Sequence, residues 1–141
     1  MIASIMPLAT ALDKTGALDI VTDAIVETPG LTNPSILLFL LFGVTSLLSQ
    51  AISNTATSVL IAPLALELSQ RLGVSPYPLL MGVALAASTS FSTPMASPIN
   101  ALVTGAGSYR FVDFLKVGVP LQLMILAVTI LVVPILFPFS P

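Results

Sequence analysis

Long apolar stretches alternate along this chain with short polar interruptions. Residues 2–12 (IASIMPLATAL) have helical character, but at about 1.5 Å per residue they reach only about half a bilayer. Asp13-Lys14-Thr15-Gly16 breaks them at a polar boundary. Residues 17–27 set Leu18, Val21, Ala24 and Ile25 on one helical face, with Asp19, Asp23 and Glu27 largely opposite. That pattern predicts an amphipathic helix lying at a membrane surface. Thr28-Pro29-Gly30 ends it, and Asn33-Pro34 opens the next element. A strong apolar helix is predicted over 35–52, a polar cluster at 53–58, and helix again over 57–71, ending near Glu67 and Arg71. LGVSPYP (72–78) reads as a turn, and 79–91 as a helix of small residues that packs closely in membranes. A second polar break follows, STPMASPIN (92–100), then a short glycine-containing piece (101–107). Residues 109–118 mix aromatics with Arg110, Asp113 and Lys116, as interfacial segments do, and 119–138 complete a last span. No internal repeat is visible, so the chain reads as one membrane domain.

Charge sharpens this picture. Of 141 residues 56% are hydrophobic, and only four are basic and six acidic. None of those ten falls in Thr28–Leu66, in Leu72–Tyr109 or from Val117 to the end. Uncharged apolar runs beyond about 20 residues belong in a bilayer, whereas a soluble domain carries charge on roughly a quarter of its residues. A multi-pass protein of the plasma or inner membrane, in contact with lipid, is therefore expected. Four basic residues make no patch for nucleic acid. The N-terminal apolar stretch has no basic residue before it and does not match a signal peptide. Cysteine and histidine are absent, which removes disulfides, thiol nucleophiles and the usual zinc ligands. An intramembrane enzyme is disfavoured as well: no carboxylate is embedded, and Lys14 and Lys116, the lysines available to activate a serine, sit at predicted interfaces.

The two polar breaks are the candidate chemistry. Interrupting a helix inside a bilayer strands N–H and C=O groups, and such breaks persist only when buried in protein or lining a wet cavity. The first break is Ser53-Asn54-Thr55; the second runs from Ser92-Thr93-Pro94 to Ser97-Pro98-Ile99-Asn100. Pro94 and Pro98 each remove a donor and disfavour helix at the preceding residue. The freed carbonyls and hydroxyls are hard oxygen ligands for a small cation, and the N–H groups of the next half-helix suit an anion. Discontinuous helices of this kind build transporter sites. The competing expectation is a structural or assembly subunit of a membrane complex, in which serine and threonine bond back to their own helix and Asn54 and Asn100 join helices.

These residues also carry a family resemblance. Ser53-Asn54-Thr55-Ala56-Thr57 resembles the Ser-Asn-Thr signature of the divalent anion/sodium symporters, which carry dicarboxylates, citrate or sulfate. Thr93-Pro94-Met95-Ala96-Ser97-Pro98-Ile99-Asn100 is similar to the family's second signature. Gly105-Ala106-Gly107-Ser108-Tyr109-Arg110-Phe111 and Asp113-Phe114-Leu115-Lys116-Val117-Gly118 resemble its lead-in to the last helix.

The resemblance implies an all-α integral membrane fold that is one half, the C-terminal repeat, of an inverted-repeat transporter. It assigns 1–28 to a partial span plus interfacial helix, 35–71 to a re-entrant helical hairpin with its tip at 53–56, 79–108 to a broken transmembrane helix and 117–138 to the terminal span. It implies a sodium-coupled carrier of a divalent anion. Ser53, Asn54, Thr55, Ser97, Pro98 and Asn100 would bind the substrate, and Ser53, Asn54, Thr93 and Ala96 the sodium ion, partly through backbone groups. No cofactor beyond the coupling sodium is expected. The spans hold no Asp, Glu or His for a proton relay, which suits sodium. A complete member carries two Ser-Asn-Thr signatures and this chain carries one, so a missing N-terminal half or second chain is expected, with a homodimer when complete. If the hairpin opens to the outside, Arg110 and Lys116 fall in the cytoplasm, as the positive-inside rule prefers.

Overall fold

The computed structural model describes residues 7, 10, 11, 14–28, 30 and 33–139. The partial span expected at 2–12 lies largely outside these residues, as do the side chains of Leu18 and Val21. Among the described residues every regular element from Ala17 onward is an α-helix: α1 (Ala17–Glu27), α2 (Pro34–Ser49), α3 (Asn54–Leu72), α4 (Pro76–Ser88), α5 (Pro98–Gly107) and α6 (Phe111–Leu136).

Local chemistry sets the boundaries, and several differ from those expected. α2 stops at Ser49 instead of continuing to 52, and α3 already begins at Asn54. The turn between them is therefore Gln50–Ser53, slightly before the tip expected at 53–56. Ser53 is the reason: its Oγ accepts the Ala56 N–H at 3.2 Å, an N-cap that starts a helix inside the polar cluster. The Thr57 and Ser58 hydroxyls then bond back to the Ser53 and Asn54 carbonyls at 3.1 and 2.9 Å, so both belong to the first turns of a helix. α3 ends at Gly73, whose positive φ of 63° permits the closing bond from Val74 N–H to the Ser69 carbonyl.

Pro76 opens α4 within the stretch expected to be a turn, because proline at the first helical position loses no needed donor and has φ preset. α4 ends at Ser88, so the non-helical segment is 89–97, not 92–100, and Asn100 sits in the first turn of α5. α6 begins at Phe111, well before the span expected at 117–138. The Asp113 carboxylate accepts the Arg110 N–H at 2.9 Å, which draws the supposed interfacial segment into the helix. At 26 residues α6 is about 39 Å long, enough to cross a bilayer.

The core lies where α2, α3 and α4 meet. Leu37, Leu38, Leu41, Ile61, Leu64, Ala65, Leu68, Leu79 and Val83 are buried there, and Val133 of α6 closes the cluster. α4 packs most extensively, against both α2 and α3, which touch each other less. Gly82 lies at this contact, where a Cβ would displace the end of the Leu38 side chain. α6 lies across α2 and α4, while α5 packs on no other helix among the described residues.

α1 departs from the simple amphipathic pattern. Thr22 is buried and Ile25 and Val26 are half-buried, whereas Ala24 and Ile20 are exposed. Two carboxylates of its exposed acidic face reach Arg71 at the end of α3, which pairs with Asp19, Asp23 and, on its own helix, Glu67. The hydrogen bond to Glu67, above all, raises the Arg71 pKa above its ordinary value, with desolvation partly opposing it. α1 is thus tied to α3 by charge as well as by Ile25 and Val26.

Candidate functional site

The segment 89–97 crosses against the turn 50–53, and each satisfies the other's broken backbone. The Gln50 side chain spans the crossing: its Oε1 accepts the Ser92 N–H at 3.1 Å and its Nε2 donates to the Thr89 carbonyl at 3.4 Å. The Gln50 carbonyl accepts the Thr93 hydroxyl at 3.0 Å. Two helix N-termini, those of α3 and α5, converge on the same segment. From α3, Asn54 Oδ1 accepts the Ser90 hydroxyl at 2.9 Å. From α5, Asn100 Nδ2 donates to the Ser90 and Thr93 carbonyls, both at 3.0 Å.

α6 reaches this crossing through Gly118 and Gln122. A Cβ on Gly118 would lie 2.6 Å from the Phe91 carbonyl oxygen and from Ser92 Cα, so only glycine lets the helix lie against that backbone. Gln122 Oε1 accepts the Ser92 hydroxyl at 2.8 Å, and its Nε2 donates to Ser46 Oγ. Beside the crossing, a cavity of about 380 Å³ opens between α5 and α6, lined by Asn100, Phe91, Val103, Phe114 and Gly118 among others.

The residues expected to form the site fall into three positions. Asn54, Thr93 and Asn100 are half-buried and joined through Ser90 and the Thr93 carbonyl. Ser53 and Thr55 are exposed beside Asn54, with Ser53 engaged as N-cap. On the far side of the break Ala96 is buried, Ser97 caps α5 by accepting the Ile99 N–H at 3.2 Å, and Pro98 is its exposed first residue. No hydrogen bond links Ala96, Ser97 or Pro98 to Ser53–Thr55 among the described residues. Pattern reading missed Ser46, Gln50, Thr89, Ser90 and Gln122. The available signal was the amides: a glutamine in an uncharged apolar run needs partners that lipid cannot supply.

Chemically, the crossing offers neutral oxygens and helix N-termini without fixed charge. None of the ten charged residues lies on α2, α4, α5 or the crossing itself. Among the described residues no group of three His, Cys, Asp or Glu side chains forms a metal site. Carbonyl, hydroxyl and amide oxygens suit a hard monovalent cation, and helix N-termini suit carboxylate or sulfate oxygens.

A model of citrate transporters matches residues 1–140. The chain belongs to the citrate transporter family. It is 45% identical over 139 residues to the "uncharacterized transporter YfbS" of Escherichia coli, covering 99% of this chain and 23% of that protein. It is 35% identical over 103 residues to the sodium-dependent dicarboxylate transporter SdcS of Staphylococcus saprophyticus, covering 73% and 19%. With the mouse Na(+)/citrate cotransporter it shares 30% identity over 88 residues, covering 62% and 15%. The chain spans under a quarter of the length of these relatives. They are named as transporters, and the chain is an integral membrane protein of a transporter family. The divalent anion/sodium symporter resemblance of its motifs is that family relationship.

Proposed function

We propose that this chain supplies half of a binding site in a secondary transporter, one that takes up a divalent anion, a dicarboxylate, citrate or sulfate, with sodium. The carrying observation is the convergence of Asn54 and Asn100 on Ser90, which sets two helix N-termini at one uncharged crossing. With its Oδ1 held by Ser90, Asn54 keeps its amide N–H groups for the anion. Ser53, Thr55, Ser97 and Pro98 flank that position, Pro98 through its backbone. Sodium is held by oxygens of Ser53, Asn54, Thr93 and Ala96, the last through its carbonyl. Each ligand improves the field for the other, so the coupling is reciprocal. On this reading α2 and α3 form the re-entrant hairpin, α4 and α5 the broken helix and α6 the terminal span. The other half of the site comes from an N-terminal repeat or a second chain, and the whole works as a homodimer. The names of the relatives, sodium-dependent for dicarboxylate and for citrate, support this choice of ion and substrate.

Uptake of labelled citrate, succinate and sulfate by the complete permease carrying this chain tests the reading. Asn54→Ala should depress both uptake and its sodium response, while Leu131→Ala, at an exposed position of α6, should leave both intact. Unchanged uptake in Asn54→Ala would return the Ser-Asn-Thr cluster to a purely structural role.

A further inference from the structure

Gln122 carries the sole side-chain amide of α6, the one described helix long and apolar enough to cross a membrane. A primary amide there presents two donors and an acceptor that lipid cannot satisfy. The protein turns it onto the crossing. Its Oε1 accepts from the Ser92 hydroxyl at 2.8 Å and from Gln50 Nε2 at 3.5 Å, and its Nε2 donates to Ser46 Oγ. Gln50 holds the same segment from the turn side, through the Ser92 N–H and the Thr89 carbonyl. The two amides therefore grip the residues immediately around Ser90, where Asn54 and Asn100 meet. Gly118 lies one helical turn before Gln122 on the same face, and its missing side chain admits the Phe91–Ser92 backbone. Close approach and amide bonding are separate features of α6, and both serve one contact.

We infer that Gln50 and Gln122 are positioning residues for ion and anion binding, resting on the transport reading above. They hold Ser90 in the register that lets Asn54 and Asn100 form one site, so α6 sets the sodium affinity without touching either ligand. Mere adhesion between helices would change how much protein reaches the membrane. It would leave the sodium concentration dependence of the folded fraction as it was.

The replacement Gln122→Glu separates the two roles. A protonated carboxyl reproduces the amide, accepting from Ser92 through its carbonyl and donating to Ser46 through its hydroxyl; an ionised one only accepts. No titratable group faces it from α2, α4 or the break. On α3, Glu67 and Arg71 sit at the far end, and on α6 Asp113 and Lys116 lie more than one turn nearer the N-terminus. Low-dielectric surroundings therefore favour the protonated form.

The experiment is the sodium dependence of labelled citrate, succinate and sulfate uptake in proteoliposomes of the complete permease, at about pH 5 and about pH 9, a span wide enough for a half-buried carboxyl raised by its surroundings. The parent's own pH response is the reference. Gln122→Leu should raise the half-saturating sodium concentration about tenfold or more, with a smaller change in maximal rate per folded protein. Gln122→Glu should stay near the parent at the lower pH and move toward Gln122→Leu at the higher one. This second variant carries the test if Gln122→Leu fails to fold. A parent without sodium-dependent uptake of any of the three anions overturns the transport reading and the positioning role with it. A working parent whose Gln122→Glu variant matches it at both pH values, or fails at both, overturns the positioning role alone.

Discussion

Asn54 and Asn100 are bound to the same residue: Asn54 accepts the hydroxyl proton of Ser90, and Asn100 donates to the Ser90 carbonyl. Two helices that begin in different parts of the chain are thereby locked at a single point on the segment between α4 and α5. The lock divides the work. Ser90 orients Asn54 through its side chain and is itself held by Asn100 through its backbone.

Ser90→Ala removes the first bond and keeps the second. A hydrogen bond of this kind contributes about 1 kcal/mol net, which corresponds to roughly a fivefold change in an equilibrium. The half-saturating sodium concentration for uptake should rise by about that factor, alongside a loss of about 1 kcal/mol in thermal unfolding in detergent. A loss of stability without a change in sodium dependence would assign Ser90 to the scaffold.

At alkaline pH, where its carboxyl ionises, Asn100→Asp should be more damaging than Asn100→Ala. Nδ2 donates to two carbonyls, and a carboxylate in the same place has nothing to donate and faces their negative ends. Thermal unfolding in detergent should show Asn100→Ala destabilised by on the order of 2 kcal/mol, two bonds' worth, and Asn100→Asp by more. Uptake at the parental level in Asn100→Asp would contradict the clamp.

Gly118→Ala and Gly105→Ala make a paired test of close approach. The first drives a Cβ into backbone atoms at 2.6 Å, while the second meets nothing within 4 Å. Overpacking against backbone typically costs about 1–3 kcal/mol. Alanine for glycine in a helix interior gains up to about 1 kcal/mol. Melting temperatures should therefore move in opposite directions, and equal shifts would mean that α6 does not seat on the Phe91–Ser92 backbone.

Arg71→Gln should release α1 from α3, because one guanidinium pairs with Asp19 and Asp23 of α1 and with Glu67 of its own helix. Backbone amides of α1 should exchange hydrogen faster in the variant. Exposed ion pairs are screened by salt, so the difference from the parent should shrink as ionic strength rises. An α1 that exchanges identically in both proteins would show that Ile25 and Val26 suffice to dock it.

The sequence by itself determined the medium, the helical class and the neighbourhoods of the two polar breaks, to within about three residues. Uncharged apolar runs admit only structures that satisfy their own backbone, and Ser53, Pro94, Ser97 and Pro98 act on their immediate neighbours, so their effect can be read locally. The start of α6 shifted because a side chain three residues on from the cap, Asp113, chose it by accepting the Arg110 N–H. Asn54 and Asn100 stood out because an amide in an apolar run must find a partner. Which partner was another matter. Ser90, Gln50, Gln122 and Gly118 acquire their roles from groups far along the chain: Gln122 bonds Ser46, 76 positions earlier. Periodicity and propensity describe neighbours a few residues apart. Only the packing of α6 across α2 and α4 decides that one glutamine on a lipid-length helix faces the crossing, where each broken backbone meets the side chains that satisfy it.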